Sequence, residues 1–182
     1  MNRKLKFTIT TVWILLTRWF DTYSTYQHTP DLGKEANILV SIFGFGWTPL
    51  LVVIVVATIY VIYAYYLATF QTYNLVPGEK GYSFSHFIGY VYTGKKQSWI
   101  SLFYTFPNDL KRLNHFVGQI ISRCLVFAGF LSTIMWLLIN NTEFYKSIHS
   151  APMIYLILII GSIYLSYRWF KKIYNEYLTS AH

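Results

Sequence analysis

Residues 36–70 read ANILVSIFGFGWTPLLVVIVVATIYVIYAYYLATF, 35 positions without a single charged side chain. A helix needs about 20 apolar residues to cross about 30 Å of hydrocarbon at 1.5 Å per residue, so this run is too long for one crossing. Gly44-Phe45-Gly46-Trp47-Thr48-Pro49 divides it. Thr48 followed by Pro49 has the form of a helix N-cap with proline at the first helical position, where the missing N–H costs nothing. A membrane span over residues 48–70 follows. The preceding piece, residues 36–45, covers only half a bilayer. Because Thr29-Pro30 repeats the cap signal, this piece is expected either to belong to a short outer surface helix over about 30–43 or to form a re-entrant half-helix.

Three more runs of spanning length lie outward from this one, at about residues 7–26, 116–139 and 152–170. The composition agrees: 54% of the 182 residues are hydrophobic, 20% aromatic and only 12% charged, against about 25% charged in soluble domains. Disorder is excluded by the same balance. The sequence therefore predicts an all-α polytopic membrane protein, a four-transmembrane-helix bundle forming a single integral domain over residues 1–182. No repeat or low-complexity linker interrupts it. The single Cys124 can form neither an internal disulfide nor a thiolate cluster.

Basic residues orient the spans, because short cytoplasmic segments carry the excess of Lys and Arg. Arg3, Lys4 and Lys6 precede the first span, Lys80, Lys95, Lys96, Lys111 and Arg112 fill the second connection, and Arg168, Lys171 and Lys172 follow the fourth span. Both termini are thus expected in the cytoplasm, and the connections at 27–47 and 140–151 outside, in a multi-pass protein of the cell membrane. The first span runs into Arg18-Trp19-Phe20-Asp21 with no small-residue cleavage pattern, so it reads as a retained helix and not a signal peptide. The net charge of +8 is spread over three cytoplasmic segments, which fits anionic lipid headgroups and not nucleic acid.

Residues 81–106 hold nine aromatic side chains without a run of spanning length. Phe84, Phe87, Ile88 and Val91 recur at i, i+3, i+4 and i+7 just before Lys95 and Lys96, as in a helix lying in the cytoplasmic interface. Either a headgroup-level aromatic belt or a lipid-docking or partner-docking surface has this pattern. Arg123 and Arg168 fall near the same side, where long side chains snorkel to headgroups. Tyr60, Tyr63 and Tyr66 form a loose stripe on the second span, and His115 with Gln119 sits where the third helix enters the membrane behind the capping signal Pro107-Asn108-Asp109.

Ionisable residues within spans are costly, and so informative. Arg18, Asp21, Thr25 and His28 are spaced 3, 4 and 3 apart, on one face of the first helix. With Asp31, Glu35 and Asn37 from the following connection they make a compact polar cluster in the outer leaflet. Three chemistries suit it. Arg18 can serve as structural counter-ion to Asp21; Asp21 and Glu35 can share or relay a proton, or hold an ion; the same two carboxylates can do acid–base catalysis. No spacing matches a metal signature such as His-Glu-x-x-His, and neither a phosphate loop nor a nucleophile elbow is present, so no metal or cofactor is expected. The leading expectation is a non-catalytic accessory subunit or lipid-associated factor, whose partners are membrane lipids and a membrane protein or a second copy. The alternative is a small membrane-embedded enzyme or a proton- or ion-coupled transporter that uses Asp21 and Glu35.

The run Asp21-Thr22-Tyr23-Ser24-Thr25, then Thr29-Pro30-Asp31-Leu32, then Glu35-Ala36-Asn37 resembles the Asp-x-x-x-Thr and Glu-x-Asn-Pro pattern of DUF5658-like small multi-span membrane proteins of unknown function. The likeness covers the first third of the chain, and Ile38 stands where that pattern has proline. It implies a small multi-span protein in which Asp21, Thr25, Glu35 and Asn37 matter, and no activity.

Overall fold

The computed structural model describes residues 2–33, 37–107 and 109–180. Among these the chain is all helical: α1 Arg3–His28, α2 Ile38–Ser41, α3 Trp47–Phe70, α4 Phe84–Thr93, α5 Leu110–Asn141, α6 Glu143–Ile148 and α7 Ala151–Ser180, with a short 3-10 helix at Trp99–Phe103. Three of them, α3, α5 and α7, are long and apolar enough to cross a membrane, which points to a multi-pass membrane protein. At 26 residues α1 has the length as well. What sets it apart is composition, since Arg18 and Asp21 interrupt its apolar run.

Local chemistry explains the helix ends. Asn2 caps α1, its side chain accepting from the Lys4 N–H at 3.1 Å, and Asp109 does the same for α5 through Lys111 N–H at 2.8 Å. α3 begins at Trp47, so Pro49 falls in the first turn, where no backbone donor is needed. The expected helix over 30–43 is reduced to the single turn of α2, capped by Asn37 through Leu39 N–H at 3.0 Å. Thr29-Pro30 ends α1 and starts nothing: Pro30 disfavours the helical conformation at Thr29, which takes φ −141° and donates its N–H to Thr25 O at 2.8 Å.

The chain divides into two compact units, residues 1–60 with 124–161, and residues 61–123 with 162–182. In the first unit α1 lies against the second half of α5. A methyl group built on Gly129 would come within 2.8 Å of Thr17 Cβ, so only glycine permits this approach. Thr17 satisfies its hydroxyl internally, on Trp13 O at 2.9 Å. The Trp13 indole donates to Val126 O at 3.2 Å, and its ring lies 4.2 Å from that of Phe130.

In the second unit the apolar stripe of α4 turns inward. Phe87 and Val91 are fully buried, and the Phe87 ring lies 5.1 Å and 5.3 Å from those of Tyr174 and Tyr177 on α7. Tyr177 donates to Glu79 O at 2.8 Å and Tyr174 to Tyr82 O at 3.0 Å. Tyr82 and Phe87 of this segment therefore serve tertiary packing, and α7 runs ten residues past the expected end at 170 to receive them, whereas Trp99, Phe103, Tyr104 and Phe106 stay exposed. Gly118 of α5 sits so close to α3 that a Cβ there would lie 2.2 Å from Ala64 O.

Candidate functional site

The site begins with Asp21, placed on α1 at the level of Ser132 and Trp136 of α5. These two lie one turn apart, so both project toward the same carboxylate. The Trp136 indole N–H donates to Asp21 Oδ1 at 2.9 Å and the Ser132 hydroxyl donates to the same oxygen. Asp21 Oδ2 faces Arg18 Nη1 at 3.5 Å. One side of the carboxyl is thus held by two neutral donors and the other by a guanidinium, which keeps both charges within the apolar helix stack.

Around this group the first unit forms a half-open cavity of about 310 Å³, the lower end of the range in which small-molecule ligands are held. Its polar lining includes Arg18, Asp21, Thr22, Thr25, Asn37, Ser132, His149 and Tyr155; its apolar lining includes Leu50, Ile54, Leu131, Ile154 and Leu158. Two polar atoms of this lining, Arg18 Nε and His149 Nδ1, are buried without a hydrogen-bond partner. Each such atom costs about 1–3 kcal/mol when left unmatched.

Four of the seven residues expected to cluster do so: Arg18, Asp21, Thr25 and Asn37 all line the cavity. Thr25 spends its hydroxyl on Asp21 O at 2.9 Å and Asn37 caps α2. His28 stands outside the lining, largely exposed, with its ring 4.8 Å from that of Trp136 and its Nδ1 3.0 Å from Ser24 O. Asp31 is exposed and accepts from Gly33 N–H at 3.0 Å, forming a local turn. Glu35 lies outside the described residues. Among the described residues no group of three His, Cys, Asp or Glu side chains is placed to hold a metal ion.

Sequence reasoning missed Ser132, Trp136 and His149, which come from segments more than a hundred residues away. Their one sequence signal is the i, i+4 pairing of Ser132 and Trp136, a polar edge on an otherwise apolar span.

A second polar centre lies in the other unit. Arg112 is buried, and its Nη1 donates to Tyr90 O at 2.9 Å, Val91 O at 3.2 Å and Leu75 O at 3.3 Å, two of them carbonyls of the last turn of α4. Its guanidinium also lies over the rings of Tyr90 and Tyr73. A cation at a helix C-terminus is favoured by the aligned carbonyl dipoles. Tyr73 donates its hydroxyl to Asp109 and stacks on the buried His115, ring centroids 5.1 Å apart. That hydroxyl holds the Asp109 carboxyl below its ordinary range, while burial pushes the His115 imidazole below its ordinary 6.5 against the pull of Asp109. Arg112, Tyr73 and Asp109 are fastened together as a structural lock, which joins the chain before α4 to the start of α5.

No family model, no curated protein and no solved structure matches this chain.

Proposed function

We propose that this is a four-span integral protein of the cell membrane, with both termini cytoplasmic, that acts without catalysis as a lipid-associated factor and holds one small amphiphilic membrane molecule in the cavity beside Asp21. Support for the fourth span comes from α1 itself. Leu5, Ile9, Val12, Leu15, Leu16, Trp19, Tyr23 and Tyr26 are all exposed and follow helical spacing down its length, a stripe that suits hydrocarbon and aromatic anchorage. The polar residues that dilute its hydropathy, Thr17, Arg18, Asp21 and Ser24, are instead buried or half-buried. A helix of 26 residues is about 39 Å long, enough to cross.

The observation that carries the binding role is the cavity, whose lining combines polar and apolar side chains, as an amphiphile requires. Catalysis by Asp21 is less suited to the geometry, because a general base must offer a free lone pair to the substrate proton. Here one oxygen already takes two donors and the other faces Arg18. The likeness of the first third to DUF5658-like proteins belongs to the same proposal, since Asp21, Thr25 and Asn37, which carry it, all line the cavity.

Two measurements test this. With Cys124 replaced by Ser, single cysteines at Asn2, Gly33, Lys95 and Lys146 are challenged with an impermeant thiol reagent on intact cells. Gly33 and Lys146 should label from outside, and Asn2 and Lys95 should not; labelling of Asn2 and Gly33 from the same side removes α1 from the spans. Native mass spectrometry of gently extracted protein should show a small amphiphile at defined stoichiometry, which a cavity-filling Leu131→Trp variant loses. Equal retention by that variant counts against the cavity.

A further inference from the structure

We infer that the molecule held in this cavity carries an anionic oxygen head, a phosphate or carboxylate, and that Arg18 Nε and His149 Nδ1 are its hydrogen-bond donors; this rests on the cavity being a binding site, as proposed above. Arg18 divides its guanidinium. Nη1 faces Asp21 Oδ2, whereas Nε is buried and bonds to nothing, so the salt bridge leaves one N–H unmatched in a side chain that lines the cavity. Guanidinium groups recognise oxyanions through such forked donors and retain their proton throughout. His149 supplies the second donor. Its Nδ1 is also buried without a partner, and its backbone N–H is already used to close α6 on Tyr145 O at 2.8 Å. With the proton on Nδ1 the ring donates to an oxygen acceptor.

The remaining lining disfavours a cationic head. Among the described residues Asp21 is the one carboxylate in the lining, and its charge already faces Arg18 while Ser132 and Trp136 donate to its other oxygen, so an ammonium group would compete with an ion pair already made. The apolar residues Leu50, Ile54, Leu131, Ile154 and Leu158 suit the alkyl part. At about 310 Å³ the half-open pocket has room for one small head and the first part of a chain.

The test uses the purified full chain in neutral detergent micelles, with binding read from tryptophan emission, since Trp47 and Trp136 line the cavity. The probes are a dihexanoyl phosphatidic acid, the matching phosphatidylcholine, hexanoate and inorganic phosphate. Arg18→Lys keeps the charge opposite Asp21 but removes Nε, and His149→Phe keeps the ring shape but removes the nitrogen. Each should weaken the anionic amphiphiles at least tenfold and leave phosphatidylcholine within twofold, at unchanged melting temperature. Inorganic phosphate binding as tightly as the amphiphiles, with the same loss in both variants, supports the oxyanion site and assigns it to a free ion. Equal affinity for anionic and zwitterionic probes, insensitive to both variants but abolished by Leu131→Trp, overturns the inference and keeps the cavity as a binding site. Absence of binding by every probe overturns both. If Arg18→Lys fails to fold, His149→Phe, which touches no ion pair, decides alone.

Discussion

The Arg18–Asp21 pair allows a prediction in which the order of stabilities, more than any single value, carries the meaning. Asp21→Asn keeps an amide oxygen for Trp136 and Ser132 but turns an N–H₂ toward Arg18, leaving a guanidinium unpaired among apolar helices. An uncompensated Arg within a span, as α1 is proposed to be, costs about 2.5–3.5 kcal/mol. The side chains are 22% and 31% exposed, so partial solvation and snorkelling reduce the loss to about 2–3 kcal/mol. Arg18→Gln should cost less, about 1–2 kcal/mol, because Asp21 retains the indole and hydroxyl donors. In the double variant no charge remains. Only the weakening of the two hydrogen bonds from charged to neutral is left, about 1 kcal/mol in all. The double variant should thus be more stable than Asp21→Asn, with a coupling of about 2–4 kcal/mol in the double-mutant cycle. Unfolding in mixed micelles followed by tryptophan emission measures all four proteins. Additive losses, or a double variant less stable than both single ones, would show that the two groups do not stabilise each other.

Three other outcomes are expected. Gly118→Ala places a methyl group 2.2 Å from Ala64 O, so overpacking should outweigh the gain in helix propensity and lower stability by about 1–3 kcal/mol, whereas Gly78→Ala, which meets nothing within 4 Å, should change it little; equal melting temperatures for the two variants would contradict the close α3–α5 approach. Arg112→Lys loses the planar guanidinium that lies over the Tyr73 and Tyr90 rings while its Nη1 reaches three carbonyls, and should cost about 2 kcal/mol or more, with increased proteolysis at residues 71–83 as the readout; unaltered cleavage there would show that the lock is dispensable. His115 has a folded-state pKa lowered by burial from its ordinary 6.5, so its neutral form belongs to the folded state. Its contribution is complete above that value and is lost as pH falls below it, when the unfolded chain takes up the proton first. Asp109, also lowered, acts in the same direction but only near and below its ordinary 3.8. A fall in melting temperature between pH 6.5 and 5 that His115→Gln abolishes is the expected result, and a fall that persists in the variant assigns the effect elsewhere.

Hydropathy and spacing determined the helical class, the three helices α3, α5 and α7 that are long and apolar enough to cross a membrane, the break at Gly44–Trp47 and the presence of an ionisable face on α1. Each of these depends on neighbours within a few residues, and a local pattern suffices to specify them. Thr29-Pro30 shows how such a pattern misleads: the same dipeptide starts α3 when it appears as Thr48-Pro49 and ends α1 at its earlier occurrence, because helix already precedes it. The cavity was legible only in half. Arg18, Asp21, Thr25 and Asn37 lie close along the chain, so periodicity could gather them. Ser132, Trp136 and His149 reach the same carboxylate and the same cavity from over a hundred residues away, where no one-dimensional spacing applies. The stripe of α4 makes the same point from the other unit. An amphipathic stripe states that one face must leave water, and both a lipid interface and a protein surface satisfy that demand equally. What chose between them was the position of Tyr174 and Tyr177 on a helix longer than hydropathy suggested, since packing energy depends on which surfaces are brought within contact distance and not on where they stand in the sequence.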